Sequence, residues 1–111
     1  MTYTDVSEML SRIGVPTAYY QFTRKTAQPP PFICYYYERG DDDYADDKNY
    51  QRIRPLVVEL YTDTKDFDME KRVEDALNEA GLAYEREETS IDSERLYLCS
   101  FYSTVVITEE G

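Results

Sequence analysis

The chain has 111 residues, with 12 lysines and arginines against 23 aspartates and glutamates, and its formal net charge is -11. At this length it is predicted to form one domain over residues 1–111, with enough residues for one hydrophobic core. The charge balance argues against direct binding of nucleic acid or of an anionic membrane, because both would repel the chain.

The N-terminal third is predicted to contain a helix, a strand and a stiff connector. Asp5 with Glu8 makes a capping-box pattern at the start of the helix, and Gly14 is a typical stop. A strand is predicted over residues 17–22, and the prolines at 29–31 restrict the connector that follows. The predicted apolar face of the helix consists of Val6, Met9, Leu10 and Ile13.

A second strand is predicted from Phe32 to Glu38, and its lack of a polar face requires cover on both sides. The next segment, Arg39 to Asn49, is the most charged part of the chain and is predicted to be a loop that a partner orders. It resembles a calcium loop, but the central glycine is missing and Arg52 stands where a bidentate glutamate belongs, so no metal site is predicted. The candidate partner-binding residues of this loop are Asp41, Asp42, Asp43, Tyr44, Asp46 and Asp47.

The clearest local signal lies between Arg52 and Gly81, where a strand, a polar turn and an amphipathic helix follow one another. The helix is predicted to begin near Asp66 and to end before Gly81. Its apolar stripe is predicted to pack on the aliphatic side of the strand. The stripe consists of Met69, Val73, Ala76, Leu77 and Ala80. The aliphatic side of the strand carries Leu56, Val58 and Leu60, and the opposite side carries Val57, Glu59 and Tyr61.

The last two predicted strands are a polar edge strand over residues 82–88 and a long apolar strand over residues 95–108, with a turn between them. The predicted order is helix, strand, strand, strand, helix, strand, strand. This order indicates an α+β fold, with a mostly antiparallel sheet and two helices packed on one face.

Two helices cannot cover both faces of five strands, so the other face is predicted to stay bare within one subunit. An exposed aromatic patch usually marks an interface, and we expect the protein to self-associate. The alternative is that some of the 12 tyrosines simply lie at strand ends in water. The candidate oligomer interface is Tyr35, Tyr37, Val57, Tyr61 and Tyr97.

The chemistry of the side chains argues against an enzyme. Histidine is absent, which removes the usual general base and a common metal ligand. No carboxylate is expected in an apolar setting that would raise its pKa, and no nucleophile or phosphate-binding motif is present. Cys34 and Cys99 are predicted to be buried free thiols. We therefore expect no catalytic residues and no cofactor.

Two stretches resemble a small protein encoded between the head and tail genes of long-tailed bacteriophages and of prophages in Gram-positive bacteria. The first consists of Tyr44–Tyr50, Val58–Thr62 and Lys65-Asp66. The second consists of Glu70–Leu77, Tyr84-Glu85 and Ile91–Tyr97. The predicted order of helices and strands is also similar to that of the phage tail terminator, or tail-to-head joining protein.

The resemblance implies a structural virion protein, assembled in the bacterial cytoplasm and located where the tail meets the head. Such proteins form a six-membered ring that caps the tail tube, stops its polymerisation and receives the head connector. The implied partners are other copies of the chain, the major tail tube protein and the head completion or connector protein. DNA would pass through the ring without specific binding, and the candidate partner-binding residues between Asp41 and Asp47 are also candidates to face its lumen. Neither a membrane nor a cofactor would be involved.

Two other functions stay open at the level of sequence. One is another neck component of the same phage module. The other is an acidic inhibitor that mimics DNA and occupies the nucleic-acid site of a host enzyme, which requires carboxylates along one exposed face. Its candidate carboxylates, besides those between Asp41 and Asp47, are Glu85, Glu87, Glu88, Asp92 and Glu94.

Overall fold

The computed structural model describes residues 1–38 and 51–108. Within these ranges the fold is α+β, and the order of helices and strands is the predicted one. The elements are α1 (Tyr3–Ser11), β1 (Thr17–Tyr19), β2 (Phe32–Tyr37), β3 (Gln51–Thr62), α2 (Phe67–Glu79), β4 (Tyr84–Ile91), a short 3-10 helix (Asp92–Glu94) and β5 (Leu96–Thr108).

The two helices begin at side-chain caps. In α2 the cap is the predicted one, because Asp66 accepts a hydrogen bond from the Met69 N–H at 3.0 Å. In α1 the predicted capping box of Asp5 and Glu8 is wrong. Thr2 caps the helix and Asp5 donates its N–H to the Thr2 hydroxyl at 3.1 Å, while the Asp5 carboxylate accepts the Thr2 N–H at 2.8 Å. Thr2 and Asp5 are three residues apart, as are Asp5 and Glu8, but they lie nearer the N-terminus. The helix therefore begins earlier than predicted and includes the buried Val6.

The strand order in the sheet is β1-β2-β3-β5-β4, with β1 parallel to β2 and the other neighbours antiparallel. β1 is shorter than predicted, because Tyr20 turns out of the strand with φ 71°. β4 lies at the edge, as predicted, but it extends to Ile91, which pairs with Leu96 of β5. The chain then reverses at Arg95, whose φ of 54° is left-handed.

Both helices pack on one face of the sheet, and the core lies between them and that face. Leu56, Val58 and Leu60 of β3 form its centre. They belong to one buried cluster with the apolar stripe of α2, as predicted, and this cluster also includes the apolar face of α1. The buried residues contributed by the helices are Val6, Met9, Leu10, Met69, Val73 and Leu77, and Ile13 lies just after α1. The buried residues contributed by the neighbouring strands are Ile33 and Tyr35 of β2 and Cys99, Phe101, Val105 and Ile107 of β5.

The predictions for the cysteines and for the end of α2 are also confirmed. Cys34 and Cys99 are free and buried. Gly81 follows α2 with φ 75°, a left-handed conformation that glycine adopts without strain. The longest helix in the described part of the chain has 13 residues, and none there is long and apolar enough to cross a bilayer, which takes about 20 residues.

A buried ion cluster fixes α2 to the edge strand β4. Glu70, on the first turn of α2, is only 3% exposed. Its carboxylate accepts hydrogen bonds from Lys65 Nζ at 2.8 and 2.9 Å and from the guanidinium of Arg86 on β4. Arg86 also lies over the ring of Phe101, 5.6 Å from its centroid. The cluster therefore connects the helix layer to the outermost strand of the sheet.

Replacing Glu70 by alanine should lower the free energy of unfolding by about 3 kcal/mol, because Lys65 and Arg86 would lose the carboxylate that neutralises them in a partly buried site. Urea denaturation measures this difference. The matched control is Asp75→Ala on the same helix, which breaks the exposed Lys71–Asp75 pair and should cost less than about 1 kcal/mol. Equal losses in the two variants would contradict the role given to the cluster.

Candidate functional site

The sheet face that points away from both helices is the candidate functional surface, and we call it the uncovered face. Strand alternation and register determine which side chains it carries. β2 contributes Phe32, Cys34 and Tyr36, and β3 contributes Ile53, Pro55, Val57, Glu59 and Tyr61. β5 contributes Leu96, Leu98, Ser100, Tyr102, Thr104 and Val106, and β4 contributes Glu85, Glu87, Thr89 and Ile91.

The centre of the uncovered face is an aliphatic side chain between two tyrosines. Val57 pairs with Tyr36 on one side and with Tyr102 on the other. Val57 is only 1% exposed although no helix lies on this side, whereas Tyr102 is 38% exposed. The ring of Tyr20 lies 6.0 Å from that of Tyr36 and is exposed as well. The tyrosines thus shield the valine and present their own rings to solvent.

A half-buried carboxylate lies beside this centre. Glu59 pairs with Cys34 and Ser100, both of which are buried, and its Oε1 accepts a hydrogen bond from the Tyr61 hydroxyl at 3.3 Å. Burial raises the pKa of Glu59 above its ordinary value of 4.5, against the effect of the Tyr61 hydrogen bond. Burial also raises the pKa of the Cys34 thiol, and the nearby Glu59 raises it further. The expectation that no carboxylate has an apolar setting is therefore wrong for Glu59, because its neighbours come from distant strands.

The far end of the uncovered face is apolar and exposed. Ile53 and Val106 pair directly with each other, and each is about half exposed. The charged side chains of this face, within the described strands, are Glu59, Glu85 and Glu87, and all of them are acidic. The surface thus combines apolar and aromatic groups with negative charge. The described strands place no lysine or arginine on it.

The predicted interface residues do not all share this face. Val57 and Tyr61 lie on it, as predicted. The placement of Tyr35, Tyr37 and Tyr97 on it is wrong, because Tyr35 and Tyr37 pair with Val58 and Leu56 on the helix side, and Tyr97 pairs with Thr62, also on that side. The residues that the prediction missed at the centre of the face are Tyr36 and Tyr102.

The predicted loop residues cannot be placed in the same way. Asp41, Asp42, Asp43, Tyr44, Asp46 and Asp47 lie outside the described residues.

The carboxylates suggested for DNA mimicry do not share one face. Glu85 and Glu87 lie on the uncovered face, whereas Glu88 points to the opposite side. There it forms ion pairs with Lys65 and with Arg86 Nη2, the latter at 3.0 Å. Because two cations neutralise it, Glu88 does not extend the acidic row that a mimic of the DNA backbone requires.

Among the described residues, one group of side chains resembles a metal site, and Lys65 and Arg86 also form ion pairs with this group. Ligand atoms of Glu70, Glu88 and Cys99 lie within 4.8 Å of one another. Lys65 and Arg86 already bind the two carboxylates, and burial raises the pKa of the Cys99 thiol to about 11. A metal ion would have to displace both cations and take a protonated thiol, so the geometry fits an ion-pair cluster better than a metal centre.

No protein-family model matches the chain, and no curated protein matches it. The geometry of the uncovered face is therefore the structural basis for a functional proposal.

The raised pKa of Glu59 predicts a pH-dependent stability. The folded state holds the Glu59 proton more tightly than the unfolded chain does, so this residue makes the protein less stable as the pH rises from about 4.5 through the folded pKa. Glu59→Gln removes this effect and keeps an acceptor for the Tyr61 hydroxyl. We expect the variant to gain stability relative to the parent protein as the pH rises, and urea titrations between pH 4 and 8 measure the gain.

The control for this experiment is Glu87→Gln, which removes one exposed negative charge from the same face. If both variants give the same pH profile relative to the parent protein, the burial of Glu59 is not the cause.

Proposed function

We propose that this protein is a structural component of the tail-to-head junction of a long-tailed bacteriophage or prophage. In this proposal it forms a ring that caps the tail tube, ends tail polymerisation and joins the tail to the head connector. The observation that carries the proposal is the uncovered face, a sheet surface with a tyrosine-shielded centre and exposed apolar side chains at one end. The two stretches that resemble phage proteins supply the biological setting.

The uncovered face supports self-association because several of its exposed side chains are large and apolar or aromatic. Tyr20, Tyr102, Ile53 and Val106 are all large and exposed, and three of them lie on neighbouring strands β3 and β5. Grouped exposure of this kind is typical of a surface that a partner covers. Tyrosine suits such a surface, because its ring is apolar and its hydroxyl can still bind water or a partner.

The charges of the face favour a ring over a symmetric pair. If two copies stacked their uncovered faces together, the half-buried Glu59 of each would enter an interface that holds only acidic charges from these strands. Burying like charges without a counterion is costly. A head-to-tail contact, in which the uncovered face meets a different surface of the next copy, avoids this cost. Head-to-tail contacts form rings when the rotation closes.

The net charge of -11 suits a channel for DNA. Carboxylates that face the lumen of a ring repel phosphate groups, so DNA slides through without being held. The proposed partners are therefore further copies of the chain, the major tail tube protein and the head completion or connector protein. The protein would assemble in the host cytoplasm, and the ring would remain in the virion.

The direct test of the proposed function uses the tail tube protein from the same phage genome. Tubes polymerised in the presence of this protein should end at a cap and stop growing, whereas tubes without it should continue to lengthen. Negative-stain electron microscopy of tube lengths and ends measures this. Identical length distributions with and without the protein would contradict the proposal.

The role of the uncovered face is tested with two tyrosines of the same strand. Tyr102→Asp places a charge at the centre of the uncovered face, where Tyr102 is 38% exposed, and should weaken ring formation at least tenfold, about 1.4 kcal/mol. The matched control is Tyr97→Asp, since Tyr97 is 42% exposed but lies on the helix side of β5. Analytical ultracentrifugation and tube capping should both show a loss for Tyr102→Asp alone. A loss for Tyr97→Asp alone would place the contact on the other face.

A further inference from the structure

A second site lies on the helix side of the sheet, where the first turn of α1 meets β1, β2 and β3. It is a cavity of about 300 Å³, which we call the tyrosine pocket. Of the lining residues that the structure describes, four are tyrosines and the fifth is an arginine. The lining residues are Tyr3, Tyr19, Tyr35, Tyr37 and Arg54.

The rings of the tyrosine pocket hold one another in place. Tyr3 meets Tyr37 edge to face with the ring centroids 5.1 Å apart, and Tyr19 meets Tyr35 in the same way at 5.3 Å. The guanidinium of Arg54 lies over the ring of Tyr37, 5.7 Å from its centroid. Edge-to-face and cation–π contacts are favourable arrangements for these groups, so the pocket walls are preorganised.

Two buried polar atoms of the pocket residues lack a hydrogen-bond partner among residues 1–38 and 51–108. They are the hydroxyl oxygen of Tyr37 and Nε of Arg54. Buried polar groups are nearly always satisfied in folded proteins, and leaving one unpaired is costly. Arg54 also forms no ion pair with the residues that the structure describes, in contrast to Lys65 and Arg86. The unpaired groups therefore point to a ligand that supplies both an acceptor and a negative charge.

We infer that the tyrosine pocket binds a carboxylate carried on a small apolar or aromatic body. The N–H groups of a guanidinium form a planar fork that matches a carboxylate, and the Tyr37 hydroxyl is a further donor. Burial raises the pKa of Tyr37, so this phenol keeps its proton at neutral pH. The tyrosine rings supply the apolar surface for the body of the ligand.

The size and charge of the pocket limit which ligands it can bind. A volume of about 300 Å³ is at the lower limit of small-molecule sites, so it fits one side chain or a small acid. Arg54 disfavours a cation, although tyrosine rings alone would attract one. A phosphate group carries more charge and hydrogen-bonding oxygens than one arginine and one phenol can satisfy.

The carboxylate can come from an acidic side chain of a protein partner or from a free carboxylic acid. The pocket lies outside the uncovered face, because Tyr35 and Tyr37 point to the helix side of the sheet.

NMR titration of the full chain tests the inference with two probes, benzoate and a capped dipeptide of aspartate and phenylalanine. We expect benzoate to shift the signals of the tyrosine pocket, including Nε–H of Arg54. Benzamide, which has the same shape without the charge, should bind at least tenfold more weakly. Tighter binding of the dipeptide would identify a protein partner, and tighter binding of benzoate would identify a small acid. Both results support the site.

Variants of single residues distinguish a loss of benzoate binding from a loss of folding. Arg54→Gln should weaken benzoate binding at least tenfold, whereas Arg24→Gln, an exposed arginine in the turn after β1, should leave it unchanged. Tyr37→Phe should weaken binding and fold at least as stably as the parent protein, because it removes a buried hydroxyl that finds no hydrogen-bond partner in the described part of the chain. The inference is overturned if neither probe shifts the pocket signals, or if benzamide binds as well as benzoate.

Discussion

The alternation of side chains along β3 is the constraint on which the rest of the structure depends. β3 lies in the middle of the sheet, between β2 and β5. Its even-numbered residues Leu56, Val58 and Leu60 face the helices, so Val57, Glu59 and Tyr61 must face the other way. Because β2 and β5 are in register with β3, the same alternation determines which of their side chains face the helices and which form the uncovered face.

The uncovered face follows from this constraint and from the number of helices in the described structure. α1 and α2 lie on one side of the sheet, so the groups on the other side must shield one another or stay in contact with solvent. Tyr36 and Tyr102 flank Val57, which is buried, but Ile53 and Val106 are half exposed. The combination of a shielded centre and an exposed apolar end is why we propose that this surface takes part in assembly.

Much of the fold could be predicted from sequence because its signals are local. Asp66 and Gly81 mark the ends of α2 by their own chemistry, and the polar Glu59 reveals which residues of β3 share a face. The orientation of β2 could not be predicted. Phe32 to Tyr37 is apolar or aromatic at every position, so its sequence does not show which side chains face the core. Pairing with β3 decides this, and the pairing depends on residues far away in the chain.

The tyrosine pocket had no sequence signal for the same reason. Its described residues come from α1, β1, β2 and β3. Arg54 becomes notable only once its neighbours are known, and with them the lack of an ion pair to any residue in the described ranges. The raised pKa of Glu59 likewise results from its burial in the sheet, where it lies between the adjacent strands β2 and β5. Properties that depend on pairing between distant segments need the structure.

The central claim is that the uncovered face is covered when copies of the chain assemble. Hydroxyl-radical footprinting of the isolated and the assembled protein, read by mass spectrometry, tests it most directly. The account predicts that Tyr20, Tyr102, Ile53 and Val106 become protected on assembly and that Tyr97 keeps its reactivity. Unchanged reactivity of all four in the assembled protein would contradict it.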